Sequence, residues 1–323
     1  MRAFARPAVA ASLLAFASAC VMPVSDPAAA SSDEAEALAT SYVDIADFWT
    51  TGADQTAWFA LRSTLAKQFN YICGDTFCNG DYLNLTPLGL TCAVSSVKGS
   101  IRDCTWVFAG SYERTDGATG ALTSSIPTFQ CHFAPKTTAK GLVSSLTSAG
   151  PTEALHRPLP GLSTSLYDVV ADCMLHPVGA TPIAPPSSSA KYVGAVDSFT
   201  TQPAQDSWLA ARDALRAGFD DVCGDTFCGG DYSNLQALRF ECSVNAKTGT
   251  LKTCAWNFAG SYDTIGPKGA LSVHAKSFSC PVPVSGTASK LAAVLTAPGA
   301  VPAIRRPLPG GSRSAYDALT GCL

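Results

Sequence analysis

The sequence predicts an α+β fold: two tandem copies of a small disulfide-stapled domain, each with helices packed on one face of a three-stranded antiparallel sheet. Three observations predict it: a long internal repeat, an equal share of cysteines in each copy, and a hydrophobic period that changes from helical to alternating inside each copy.

The repeat shows first in Cys73-Gly74-Asp75-Thr76-Phe77-Cys78, which returns letter for letter at Cys223-Gly224-Asp225-Thr226-Phe227-Cys228. Around it Tyr42, Trp58, Arg62, Phe69, Asp81, Asn84, Trp106 and Tyr112 reappear as Tyr192, Trp208, Arg212, Phe219, Asp231, Asn234, Trp256 and Tyr262. Further on, Arg157-Pro158-Leu159-Pro160-Gly161 matches Arg306-Pro307-Leu308-Pro309-Gly310. Agreement over this length marks an internal duplication, with repeat domains at 41–174 and 192–323. The segment 175–191 between them is rich in Pro, Ala and Ser and reads as a stiff, extended linker.

Of the 13 cysteines, Cys73, Cys78, Cys92, Cys104, Cys131 and Cys173 belong to the first copy, and Cys223, Cys228, Cys242, Cys254, Cys280 and Cys322 to the second. An even set in each copy reads as a disulfide framework formed in an oxidising compartment. Cys20 is left over. Residues 1–19 have the basic start and short apolar run of a signal peptide, too short to span a membrane. Ala17-Ser18-Ala19 fits an ordinary processing site, and Ala17-Ser18-Ala19-Cys20 resembles the lipobox of bacterial lipoproteins, with Ala17 where leucine is usual. The odd cysteine favours lipidation at Cys20, followed by a flexible spacer over 20–40. The expected location is therefore the bacterial outer membrane, periplasm or cell surface, with a lipid anchor as the membrane contact.

Within a copy, Trp58, Leu61, Leu65, Phe69 and Ile72 fall on one helical stripe, as do Trp208, Ala211, Leu215, Phe219 and Val222, with Asp54 and Asp206 as expected caps. The period then becomes two. Leu238, Phe240, Cys242 and Val244 are expected on the core face of a half-buried strand, with Arg239, Glu241, Ser243 and Asn245 opposite them. A glycine turn at Gly249 leads to a strand presenting Cys254, Trp256 and Phe258, and a third presents Phe278, Cys280 and Val282. The first copy repeats this with Leu90, Cys92 and Val94, then Cys104, Trp106 and Phe108, then Phe129, Cys131 and Phe133. The hairpin sets Cys92 opposite Cys104 and Cys242 opposite Cys254, while six cysteines still allow fifteen connectivities. A helix around Leu142 to Leu146, or Leu291 to Leu295, precedes the Pro-Leu-Pro-Gly strap. That strap is expected to pack over the core with its arginine, Arg157 or Arg306, on a carboxylate. A last short helix brings Cys173 or Cys322 back to the body.

The densest polar cluster is the loop carrying Asp75, Asp81 and Asn84, and in the second copy Asp225, Asp231 and Asn234. Oxygen ligands along a loop suit calcium, but the EF-hand spacing and its terminal glutamate are missing, so turn capping is the preferred reading. No cofactor is expected, and zinc is disfavoured because the cysteines lack CxxC spacing. Against catalysis, none of His132, His156, His176 and His274 has a counterpart in the other copy, and no nucleophile motif accompanies them. Trp58, Trp208, Trp106 and Trp256 have the periodic neighbours of core residues. Asn84-Leu85-Thr86 is a glycosylation sequon relevant only in a eukaryote. A net charge of −3, with no basic run, excludes a nucleic-acid binder. The expected function is a noncatalytic envelope protein whose two modules bind an unknown protein or envelope polymer. The alternatives are an inhibitor of secreted hydrolases, acting through a loop such as Thr76-Phe77, and a secreted hydrolase using residues of one copy only.

Overall fold

Each half opens with a strand of three residues, too short to show a period. The computed structural model describes residues 41–76, 84–148, 150, 152–176 and 190–323. The expected signal peptide, Cys20, the spacer and all but the ends of the linker lie outside these residues.

In the first half the order is β1 (Tyr42–Asp44), α1 (Ile45–Phe48), the long α2 (Gly52–Thr76), β2 (Thr86–Ser95), β3 (Ile101–Ala109), the small hairpin β4 (Tyr112–Thr115) and β5 (Leu122–Ser125), β6 (Thr128–Phe133), α3 (Ala139–Thr147) and α4 (Leu166–Cys173). The second half runs β7 (Tyr192–Gly194), α5 (Gln202–Val222), β8 (Gln236–Asn245), β9 (Leu251–Ile265), β10 (Leu271–Pro281), α6 (Ala288–Thr296) and α7 (Ala315–Leu319). The sheets are antiparallel and four-stranded, in the orders β1-β2-β3-β6 and β10-β9-β8-β7. This corrects the expected three strands: β1 pairs Val43 with Val94, and β7 pairs Val193 with Val244, each adding an edge.

The helical stripe packs as its spacing demands. Trp58, Leu65 and Phe69 are fully buried in one core and Trp208, Leu215 and Phe219 in the other; Phe69 meets Trp106 and Phe108 of β3, Trp208 meets Phe240 of β8, and Phe219 meets Trp256 and Phe258 of β9. The caps differ from expectation. Thr51, not Asp54, precedes α2: its Oγ1 accepts from Asp54 N at 3.2 Å and donates to Asp54 Oδ2 at 2.9 Å. Asp206 lies inside α5, accepting from Gln202 Nε2. The hairpin turn uses Gly249 at φ +67°, with Asn245 Oδ1 accepting from Lys247 N and Thr248 N.

Register sets Cys92 opposite Cys104 and Cys242 opposite Cys254, and both pairs are bonded with Cα atoms 4.0 Å apart. Cys131–Cys173 and Cys280–Cys322 tie the last helices to β6 and β10, and Cys223–Cys228 closes the loop after α5. Cys73 is also disulfide-bonded, and Cys78 lies outside the described residues. The strap arginines bind no carboxylate. Arg157 Nη1 donates to Leu146 O and Arg306 Nη1 to Leu295 O, both at 2.9 Å, satisfying carbonyls at the C-termini of α3 and α6. A helix end carries unpaired carbonyls and a partial negative charge, and a guanidinium answers both.

The largest departure concerns the sheet faces turned away from the helices. Glu241 is 3% exposed and Ser243, Asn257, Thr105, Val107 and Ala109 are 0% exposed, so the strands are buried on both sides. The two sheets meet back to back through Leu88, Val107, Ala109, Leu238 and Ala259, and Thr40–Leu323 forms one compact unit. Leu238 belongs to this contact rather than to the face of Phe240. A bulge between Ala237 and Arg239, matched between Pro87 and Gly89, inserts a residue and flips the alternation at that point.

The contact is reciprocal. A Cβ on Gly120 would fall 2.8 Å from Lys252 and 2.9 Å from Tyr192, while one on Gly269 would fall 2.8 Å from Tyr42 and 3.0 Å from Arg102. These are the same two positions of each copy meeting the same two positions of the other, the signature of an isologous, pseudo-two-fold interface. Each half thus lays an arm, β4–β5 or the far ends of β9 and β10, across its neighbour's sheet.

Candidate functional site

The arm of the first half carries the residue around which a site forms. Glu113, on β4, has a side chain with 0% exposure and meets the central strands β8 and β9 of the second sheet. Its Oε1 accepts from Ser111 Oγ at 2.5 Å and from Asn257 Nδ2, while its Oε2 lies 3.1 Å from Arg239 Nε. Arg239 Nη2 in turn donates to Glu241 Oε2 at 3.0 Å. Glu241 Oε1 accepts from Ala195 N and Cys242 N, both at 3.1 Å. A guanidinium is therefore held between two carboxylates from opposite halves, each carboxylate fixed by further donors. Strand geometry explains the grouping, since Arg239 and Glu241 alternate onto the face that meets β4.

Burial pushes the Glu113 carboxyl up, against the pull of Ser111, Arg239 and Asn257. Burial alone would push Arg239 down, but Glu241 and Glu113 outweigh it and hold the guanidinium above its ordinary value. Asp197 is also pushed up, by burial and then by Glu241. Arg212, behind the wall, is pushed down by burial and by Arg239.

These groups line a cavity of about 320 Å³ between the halves, walled by Tyr112, Glu113, Thr115, Tyr192, Asp197 and Arg239 among others. Tyrosine from each half and a mixed set of charges give it the polar convergence expected of a ligand site.

The residues singled out from sequence are placed elsewhere. Asn234 Oδ1 accepts from Ser261 N and its Nδ2 donates to Ser261 Oγ, and Asn84 makes the same clamp on Ser111. Both amides are occupied in joining the loop to the far end of the hairpin, just after β3 in the first half and within β9 in the second. Asp225 and Asp231 are exposed, Asp81 lies outside the described residues, and of the side chain of Asp75 nothing is described. Among the described residues no group of three or more His, Cys, Asp or Glu is arranged to hold a metal. Phe227 turns inward, stacked on Phe219 at 5.8 Å and tilted on Tyr316 at 5.4 Å.

Two of the four histidines, His132 and His274, gather at the second, pseudo-equivalent junction, while His156 packs on Tyr167 and His176 reaches Asp172 O. At this junction Asp263 takes the place of Glu113, pushed up by burial and pulled down by Thr91, His132, His274 and Arg62. His132 Nδ1 is 2.9 Å from Thr105 Oγ1 and 3.7 Å from Asp103 Oδ2, and His274 stacks on Tyr262.

Glu113, Arg239 and Glu241 fall outside the pattern that the two copies share. Arg239 and Glu241 stand where the first copy has Gly89 and Thr91, and unshared charges inside a duplicated strand were the available signal. No protein-family model, curated protein or solved structure matches the chain.

Proposed function

We propose that this is an exported, noncatalytic binding protein made of two fused copies of one domain and tethered through lipid on Cys20. In this reading its ligand, a protein or envelope polymer, places a group in the cavity between the copies. One observation carries it: the shared residues serve cores, caps and clamps, whereas the unshared Arg239 and Glu241 gather with Glu113 around a cavity. The two copies act together at one cleft, which replaces independent bivalent binding as the working geometry.

The noncatalytic reading draws support from the histidines. Thr105 and Asp103 both face Nδ1 of His132, and Thr105 is fully buried. A relay needs its acid and its nucleophile on opposite ring nitrogens. The inhibitor alternative loses ground because Phe227 packs inward in the second copy.

The test uses the full chain and Val193→Trp, which places a large ring in the cavity wall. Thermal shifts are measured against a panel of soluble peptides and envelope oligosaccharides. Ligands that stabilise the parent should lose at least tenfold in affinity with the variant. Identical shifts in both proteins would remove the cleft from consideration.

A further inference from the structure

Three oxygens at this junction lack a hydrogen-bond partner: Glu113 Oε2, Thr115 Oγ1 and Asn257 Oδ1. Glu113 and Thr115 belong to the cavity wall, with these oxygens buried just beneath its surface, and Asn257, 0% exposed, stands directly behind Glu113. The orientation of Asn257 is fixed by chemistry. Its amide nitrogen donates to Glu113 and, at 3.0 Å, to Ser124 Oγ, and flipping it would set oxygen against a carboxylate. Arg239 Nε reaches Glu113 Oε2 as an ion contact outside hydrogen-bond geometry. Every one of these orphans can accept a hydrogen, and a buried acceptor left unpaired is costly.

The charges agree with the acceptors. Arg239 is shared by Glu113 and Glu241, and Arg212, behind the wall, interacts with the same two carboxylates, so these four charges balance. Asp197, exposed on the same wall, adds a carboxylate beyond that balance. Arg114, the other guanidinium on the wall, draws on Asp116, and Arg212 lies behind it. A donor-only cation is the chemical complement of such a surface: an ammonium offers three donors and no acceptor. Tyr112 adds an aromatic ring to the wall, and Tyr192 already carries the ammonium of Lys191 5.2 Å from its ring centre, a group of the same kind.

Resting on the cleft reading above, we propose that the cavity between the halves receives a primary ammonium group. About 320 Å³ leaves room for roughly ten heavy atoms at about 30 Å³ each, the size of a lysine-like moiety. The group arrives either on a free small amine or on a peptide or polymer side chain.

The experiment titrates the full-length protein calorimetrically with 1,5-diaminopentane and its neutral isostere 1,5-pentanediol. A second arm compares N-acetyl-Gly-Lys-Gly-amide with its glutamine analogue. In at least one arm the amine should bind at least tenfold more tightly than the neutral partner. Success in the first arm alone assigns a free amine, and in the second a chain-borne one. Asp197→Asn and Glu113→Gln should each erase most of that preference. Asp197→Asn alters an exposed residue, so it remains informative if the buried substitution does not fold. Equal affinity for amine and neutral probes, or a preference untouched by Asp197→Asn, overturns the proposal. If neutral panel ligands still bind and are blocked by Val193→Trp, the cleft stands and only the ammonium assignment falls. If nothing is sensitive to Val193→Trp, both fall.

Discussion

The two junctions between the halves occupy equivalent positions and are built from different chemistry. At one, Glu113 meets a fixed cation, Arg239, inside a ring of hydrogen bonds. At the other, Asp263 faces Arg62 together with two histidines, with Thr91 where the first site has Glu241 and Gly89 where it has Arg239. Matching positions of the two halves build both junctions, and the residues at those positions differ one by one. The difference teaches that the framework of this protein is symmetric while the polar chemistry at its two junctions is not: one is built on a fixed guanidinium between glutamates, the other on aspartates with histidines.

The comparison is sharpest if one junction is far more sensitive than the other. Arg239→Ala leaves Glu113 and Glu241 buried without their cation, and is expected to cost about 3–5 kcal/mol in urea denaturation. Asp263→Asn should cost less than about 1 kcal/mol, the range of substitutions that strand no buried charge. Equal losses would erase the distinction between the sites.

The disulfides test the symmetric part. Cys131–Cys173 and Cys280–Cys322 each span a separation of 42 residues. Replacing both cysteines of either pair with alanine should destabilise by about 2–4 kcal/mol, with nearly the same value in both halves. A large inequality in denaturation midpoints would mean that the halves are not energetic equivalents.

The smallest effect is one of pH. Asp263 and Asp44, both at the second junction, have carboxyls pushed above their ordinary value of 3.8, burial being the first cause of each. Such groups bind protons more readily folded than unfolded, so their ionisation weakens the fold as pH rises from 3.8 through the raised value. Asp168 and Asp317, held low by Ser165 and Ser314, act oppositely and only below about pH 4. Melting temperatures from pH 7 to 4 should therefore show the parent gaining on Asp263→Asn as the pH falls. A difference independent of pH would show that Asp263 titrates alike in both states.

Much of each half was legible in advance. Trp58, Leu65 and Phe69 lie on a stripe because side chains three and four apart share a helix face. Cys92 faces Cys104 because a glycine turn fixes the register of its hairpin. Leu238 was misassigned because a bulge depends on pairing with a second strand, and alternation in one strand carries no trace of it. The cavity was illegible for a related reason. Glu113 lies far along the chain from Arg239, and periodicity reads only neighbours.

The sequence by itself determined the recurring residue pattern, the distribution of cysteines, the helical stripes and the alternating strands, all of which are read from spacing along the chain. Only the tertiary structure decided that the polar strand faces are interior. Ser243 and Glu241 read as solvent residues until a second sheet covers them, and Gly120 O then receives the Ser243 hydroxyl at 2.6 Å. Burial is a property of what a surface meets, and the partner of each sheet is the other half of the chain.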